Sequence, residues 1–458
     1  MKCIGKRPFF RLFVLLLVAV LTLSPLAAAA DAWVLDPLVD AEALGLLTSE
    51  DNINIETAVS DAQMQRICDC VYQSFAQIGM ERQASQTPMT VEGPYTRRQV
   101  LELLHNQLGF CTSFDPTDEN QLHTDNISCM VRRGVLRGDA SGDYMLDCSC
   151  SFPEAAIFAA RFVTAVYDEC GAGSKGLLWK ATSGGNTLYL LGTIHVDRGN
   201  LYPFSSDLRG ILSTADEALF EVDFLNVDGI SYFMQAQMYS DGTTLADHVD
   251  PDLYAAVVEV FEDMGLTEAQ IAVYKPWALA NTLSSLSLQE DDGSDVMVID
   301  SYAYSKAMVN GVSIGEVEGY AFQADLFDSL SQPYQEAYLA SCLNSYLTLL
   351  NAPEGDDGAA ADETGLTQLD AMLAAWKARD LAGFQAVYDK DAALASGDEL
   401  TALLFSERDP HMTEAAVACL EAEGENTVVL IVGAGHMVGS GGIVESLRDL
   451  GYTVELVA

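Results

Sequence analysis

Two short apolar runs, Tyr189–His195 (YLLGTIH) and Val428–His436 (VVLIVGAGH), end alike: a glycine, two residues, then a histidine. Runs this apolar and this short, bounded by turn residues, read as strands. Each one then puts an imidazole just past the carboxyl end of a strand. That is the edge at which open α/β sheets assemble their sites. The glycines let the backbone turn sharply and let another group come close. The chain has six histidines, and two of them stand in this single setting. The plainer reading, two rings merely hydrogen-bonded near a sheet edge, stays open at this point.

The surrounding pattern fits an α/β domain over 176–458. Leu177–Thr182 and Thr187–Leu191 are apolar runs separated by Ser183-Gly184-Gly185-Asn186, a hairpin signal. A helix is expected around Ser206–Ser213 and a strand over Ala218–Phe224. Long helical stretches fill roughly 251–350. An acidic loop follows over Asn351–Glu363, then more helices to Glu423. Strand Thr427–Val432, helix Gly442–Leu450 and strand Tyr452–Val457 close the chain. The fold class is α/β, with a central sheet and a large helical insertion, preceded by a smaller, mainly helical repeat region.

That preceding region spans 31–170, joined to the α/β domain by the short linker 171–175 (GAGSK). Amphipathic helices are expected over Asp61–Gln77, over 97–108 with Thr96 as N-cap, and over Pro153–Val166. Before it, residues 1–30 have the layout of a signal peptide. Lys2, Lys6, Arg7 and Arg11 precede the apolar run Leu12–Leu23, and the small residues Ala27–Ala30 suit cleavage. A secreted or cell-surface location follows. The net charge is −44; such a surface repels phosphate backbones and excludes a nucleic-acid partner. Seven of the ten cysteines crowd between Cys68 and Cys170. In an exported chain this clustering suggests some disulfides. The Cys-x-Cys pairs are a weaker signal for a metal, because zinc sites space their cysteines further apart.

A third expected strand, ALFEVDF, supplies Glu221 and Asp223. Alternation would place both carboxylates on one face. Two buried carboxylates need partners, and a metal ion or a histidine cation would each serve. Two histidines with one or two carboxylates and open positions make a reasonable catalytic divalent site.

Residues 176–458 resemble the TraB/GumN family, whose animal relatives are the Tiki proteases. The matching features are LLGTIHV with Tyr202-Pro203, FEVDF, Lys275-Pro276-Trp277, Val298-Ile299-Asp300, Glu318 with Gln323, Arg408 in SERDP, and GAGHMVGSGGIVESLRDLGY. Asp409 is a departure, standing where many relatives have Asn. The resemblance implies metal-dependent peptide cleavage through the paired Gly-x-x-His motifs and the strand glutamate. His195, His436 and Glu221 would then hold a divalent ion (Mn, Co or Zn). Asp223 or Glu318 would act as general base and Arg408 would steady charge. Residues 31–170 resemble degenerate S-layer homology repeats, most clearly over 125–168. That implies docking onto cell-wall polysaccharide, but a Thr-Arg helix start survives only at Thr96-Arg97, and a helical spacer that has lost wall binding stays open beside it.

Taken together, the sequence reads as an exported metal-dependent hydrolase, a metallopeptidase acting on a peptide substrate. Two rivals stand beside it: a non-catalytic binder that sequesters a peptide, and a metal-free, esterase-like hydrolase with histidine as base. Lys275-Pro276-Trp277 is expected to open and pack a helix, with the proline in its first turn. Asp300 is a candidate cap for a helix over 301–309.

Overall fold

The computed structural model describes residues 32–48, 51, 56–80, 94–109, 126–139, 141–195, 200–288, 297–350 and 363–458. The expected signal peptide, Cys3, Cys111, His123 and most of the acidic loop lie outside them.

Among the described residues six strands form one sheet: β1 (Leu177–Ser183), β2 (Asn186–Thr193), β3 (Glu217–Phe220), β4 (Ser313–Glu316), β5 (Thr427–Gly433) and β6 (Val454–Leu456), in the order β4-β3-β5-β2-β1-β6. The Gly184-Gly185 turn closes β1 and β2 into an antiparallel hairpin, with Ser183 opposite Asn186. Then β2 pairs with β5 in parallel, as β5 does with β3 and β3 with β4. Parallel neighbours need long crossovers, which the intervening helices supply. The register sets Thr193 beside Gly433 and Phe220 beside Ile431. Three adjacent strands therefore end at nearly one level, and the residues following each of them share a single edge.

The strand expected through Phe224 stops at Phe220. Its partner β4 ends at Glu316, and the Glu221 carbonyl instead accepts from the amides of Glu318 and Gly319. Past Phe220 the chain turns away from the ladder, so Glu221 and Asp223 do not share a strand face. Helix Pro276–Leu288 does begin at the proline. The helix after it spans Ile299–Asn310, with Val298 at its N-cap position, so Asp300 is helical and not a cap.

In the N-terminal region, helices occupy Asp61–Gln77, Arg97–Gly109 and Phe152–Cys170. Reciprocal capping explains their starts: Ser60 with Gln63, Thr96 with Gln99, and Ser151 with Glu154. These helices and the sheet share one apolar core, which runs from Leu38 and Phe162 to Leu190 and Ile431. Residues 171–175 are pinned as well. The Ser174 amide donates to Pro203 O, its carbonyl accepts from Ser205, and the Lys175 amide donates to Lys377 O. The helical insertion builds a second small core around Phe261, Leu279 and Leu339. The eight described cysteines are free. No described helix is long and apolar enough to cross a membrane.

Candidate active site

At the shared edge of β2, β5 and β3 lies a cavity of about 360 Å³ lined by His195, Glu221, Gln323, Arg408 and His436. Its opposite wall is apolar, formed by Leu326, Phe327, Met372, Phe384, Leu404 and Phe405.

The two imidazoles are held in the same manner. His195 Nδ1 lies 2.8 Å from Asp300 Oδ2, and His436 Nδ1 lies 2.7 Å from Asp409 Oδ1. Each aspartate is buried. A carboxylate at Nδ1 fixes that nitrogen as the donor and leaves Nε2 as the acceptor. The other oxygens differ. Asp300 Oδ1 accepts from the Thr193 hydroxyl at 2.9 Å, whereas Asp409 Oδ2 is ion-paired with the buried ammonium of Lys390.

Gly433 creates the room between the rings. A Cβ built there would stand 3.3 Å from His195 Nε2, 3.5 Å from His436 Cδ2 and 3.6 Å from Glu221 Oε1. Glu221 Oε1 accepts from the Gly433 amide at 2.8 Å and lies 3.8 Å from His195 Nε2. Its other oxygen accepts from Arg408 Nη2 at 2.6 Å and from Gln323 Nε2 at 3.3 Å. Burial alone would raise the Glu221 carboxyl. The electrostatic pull of His195, 3.8 Å away, and of the Arg408 charge outweighs it and holds the group well below the usual carboxylate range. The His195 imidazole is raised well above its ordinary value, chiefly by the Asp300 charge.

Glu318 stands behind the cavity wall. Its carboxylate is fully buried and takes three hydrogen bonds from Arg408, at 2.8 Å to 3.1 Å, and a fourth from Gln323 at 3.2 Å. Arg408 thus joins Glu221 to Glu318, and its own pKa is raised. Asp223 is elsewhere: its Oδ1 accepts from the Tyr304 hydroxyl and the Leu225 amide, away from the cavity lining. His411 is exposed and stacks on Phe322, and His248 stacks on Tyr239. Lys275 and Trp277 both bond Asp328.

A family model, the TraB/PrgY/gumN family, matches residues 177–456. The chain belongs to that family. No curated protein and no solved structure matches it. The match does not reach residues 31–170, where the repeat resemblance rests on sequence pattern alone. Within this family member, the donor chemistry suits a divalent ion only as an open set. Both rings line the cavity with Nδ1 taken by an aspartate, but Glu221 is engaged by Gly433 and Arg408. Among the described residues no three His, Cys, Asp or Glu side chains converge as a metal cluster.

Residue-by-residue reading missed Lys390 and the role of Asp409. Lys390 lies in a helix, Lys390–Ala395, with no motif around it. Asp409 had a signal, its position directly after Arg408, but only the fold shows that it faces His436.

Proposed function

We propose that this family member hydrolyses peptide bonds, using a divalent metal ion held by Nε2 of His195 and His436 with Glu221 beside them. One observation carries the reading: each Gly-x-x-His ring is tied through Nδ1 to a buried aspartate, the arrangement that aims and tunes histidine ligands. The chemistry supplied by such an ion, when bound, is carbonyl polarisation and a water acidic enough to react near neutral pH. The chain's own residues orient and insulate. Asp300 and Asp409 hold the rings, and Arg408 holds Glu221 ionised against the cavity. The apolar wall excludes water and seats the substrate. Glu221 lines the cavity, so proton handling in this reading falls to Glu221 and not to Asp223 or the enclosed Glu318.

A metal-free route has a specific observation behind it. The Thr193–Asp300–His195 chain has the layout of a base with its orienting group, and among the described residues no closed donor set stands beside it. Peptide-library cleavage by the full chain, with and without chelator and alongside metal analysis, separates these readings. The expected result is cleavage that chelator abolishes, with His195→Ala and His436→Ala each lowering turnover by about a hundredfold or more. Cleavage indifferent to chelator but lost in His195→Ala supports the metal-free route. Peptide binding without product leaves a sequestering protein. Cleavage unchanged in both variants would sink the site assignment.

The same reading places the protein outside the cytoplasm, exported through residues 1–30. Residues 31–170 would be its contact with cell-wall polysaccharide. Pelleting of the full chain with purified wall material tests that contact.

A further inference from the structure

The helix that carries Asp300 is clamped from outside the matched domain. Helix Ile299–Asn310 buries residues on nearly every side, including Lys306, whose side chain is 2 % exposed. A buried ammonium is costly unless paired. Its partners are Asp36 and Asp40, four residues apart on the helix Ala32–Ala43. The ladder extends both ways. The Tyr302 hydroxyl donates to Asp40 Oδ1 at 2.7 Å, and Asn310 Nδ2 donates to Asp36 Oδ1 at 2.7 Å. Tyr302, Lys306 and Asn310 recur every four residues and so line one helix face. Asp300, in the first turn of the same helix, bonds Thr193 and His195. The residue before that turn is fastened too, since Met297 O accepts from the Tyr202 hydroxyl at 2.6 Å and Tyr202 packs on Tyr302.

We propose that Asp36 and Asp40, which lie outside the family match, are positioning residues for His195, acting through Tyr302 and Lys306 on the helix that presents Asp300. Burial alone would raise the Asp36 carboxyl, but the Lys306 charge and the hydrogen bonds from Lys306 and Asn310 hold it below its usual range. Asp36 therefore meets Lys306 as an anion, 2.5 Å from its ammonium. Neutralising both aspartates leaves a cation inside the helix interface, and the simplest relief is for the helix to move, taking Asp300 from His195. The N-terminal region then serves as a fixed part of the site's framework and not as a detachable spacer. This goes beyond the hydrolase reading and requires only that His195 be held by Asp300.

The test is Asp36→Asn with Asp40→Asn in the full chain, read by NMR of histidine-labelled protein without substrate. The expected result is loss of the His195 Nδ1–H resonance, and its return when Lys306→Met removes the stranded charge. Because no turnover is needed, the result is independent of whether hydrolysis is found. A double variant that melts at lower temperature yet keeps the resonance unchanged makes the clamp purely structural and overturns the proposal. If the double variant does not fold, Tyr302→Phe removes one hydroxyl and keeps the ring. Weakened protection of the same proton supports the proposal, and an unchanged signal overturns it.

Discussion

The two Gly-x-x-His motifs look like duplicates, and the structure makes them unlike. Both rings hang from neighbouring parallel strands, and both give Nδ1 to an aspartate. The difference lies one residue further out. Asp409 meets a buried lysine, and Lys390 also lies 4.6 Å over the Phe405 ring, which in turn packs against His436. Asp300 meets a neutral threonine hydroxyl. The His436 ring is almost enclosed, while the His195 side chain is 57 % exposed. One histidine is locked into an ion-paired core and the other stands at the solvent edge over a carboxylate whose second oxygen takes a neutral hydroxyl. Equivalent sequence motifs thus acquire different chemistry from the partners of their partners.

Removing those outer partners should expose the difference most strongly. Lys390→Met leaves Asp409 as a buried anion without its cation. Breaking one side of a buried pair costs about 3–5 kcal/mol, so a large fall in unfolding free energy is expected in denaturant titration. Adding Asp409→Asn removes the stranded charge and should restore most of the loss. Thr193→Val, the matching change at the other histidine, deletes one neutral hydrogen-bond donor and should cost about 1 kcal/mol. Equal losses for Lys390→Met and Thr193→Val would break the comparison.

The likeness of the motifs was legible in the sequence, and the unlikeness was not. Short apolar runs ending in Gly-x-x-His announce strand ends, because neither a buried strand nor a glycine turn tolerates many other residue patterns. The helix over Asp61–Gln77 was equally plain from its amphipathic pattern, and in the structure Ser60 and Gln63 cap it. What sequence could not carry was partnership across the chain. The ALFEVDF run has strand propensity to its end, yet β3 stops at Phe220, opposite Glu316, the last residue of β4. Asp223 thereby leaves the cavity and Glu221 stays. Lys390 and Lys306 sit in helices with no local mark of function, and each acquires its meaning from an aspartate distant in sequence. The crowded cysteines suggested bridges. Cys68 and Cys70 lie two apart on one helix, so they face different directions, and both are free.

The room between the rings offers a second, smaller test. Gly433→Ala places a methyl within contact of His195, His436 and Glu221 at once. The backbone there is an ordinary extended one (φ −53°, ψ 138°), so the substitution adds no strain of its own. The methyl should crowd whatever the two rings hold jointly, lowering turnover or ligand affinity by about tenfold at little loss of stability. An effect confined to one histidine, visible as a change in only one set of ring resonances, would show that the two do not act on a common occupant.

The smallest expected effect is protonic and belongs to His195 alone. The Asp300 charge favours its imidazolium, so its titration, followed by NMR of the ring C2–H, should have a midpoint above the ordinary value of about 6.5. A raised native pKa means that the folded state binds this proton more tightly than the unfolded chain. The resulting stability is fully present below about pH 6.5 and is lost as pH rises through the native midpoint. Asp300→Asn should bring the midpoint down and flatten that part of the pH–stability curve. Solvent at the half-exposed ring screens the interaction and keeps the effect modest. The same lone pair on Nε2 that takes the proton is the one proposed to take a metal ion. Added Mn, Co or Zn should therefore depress the midpoint in wild-type protein, and should do so less in His436→Ala. A midpoint unmoved by any of these ions would leave His195 as a proton carrier alone and favour the metal-free route.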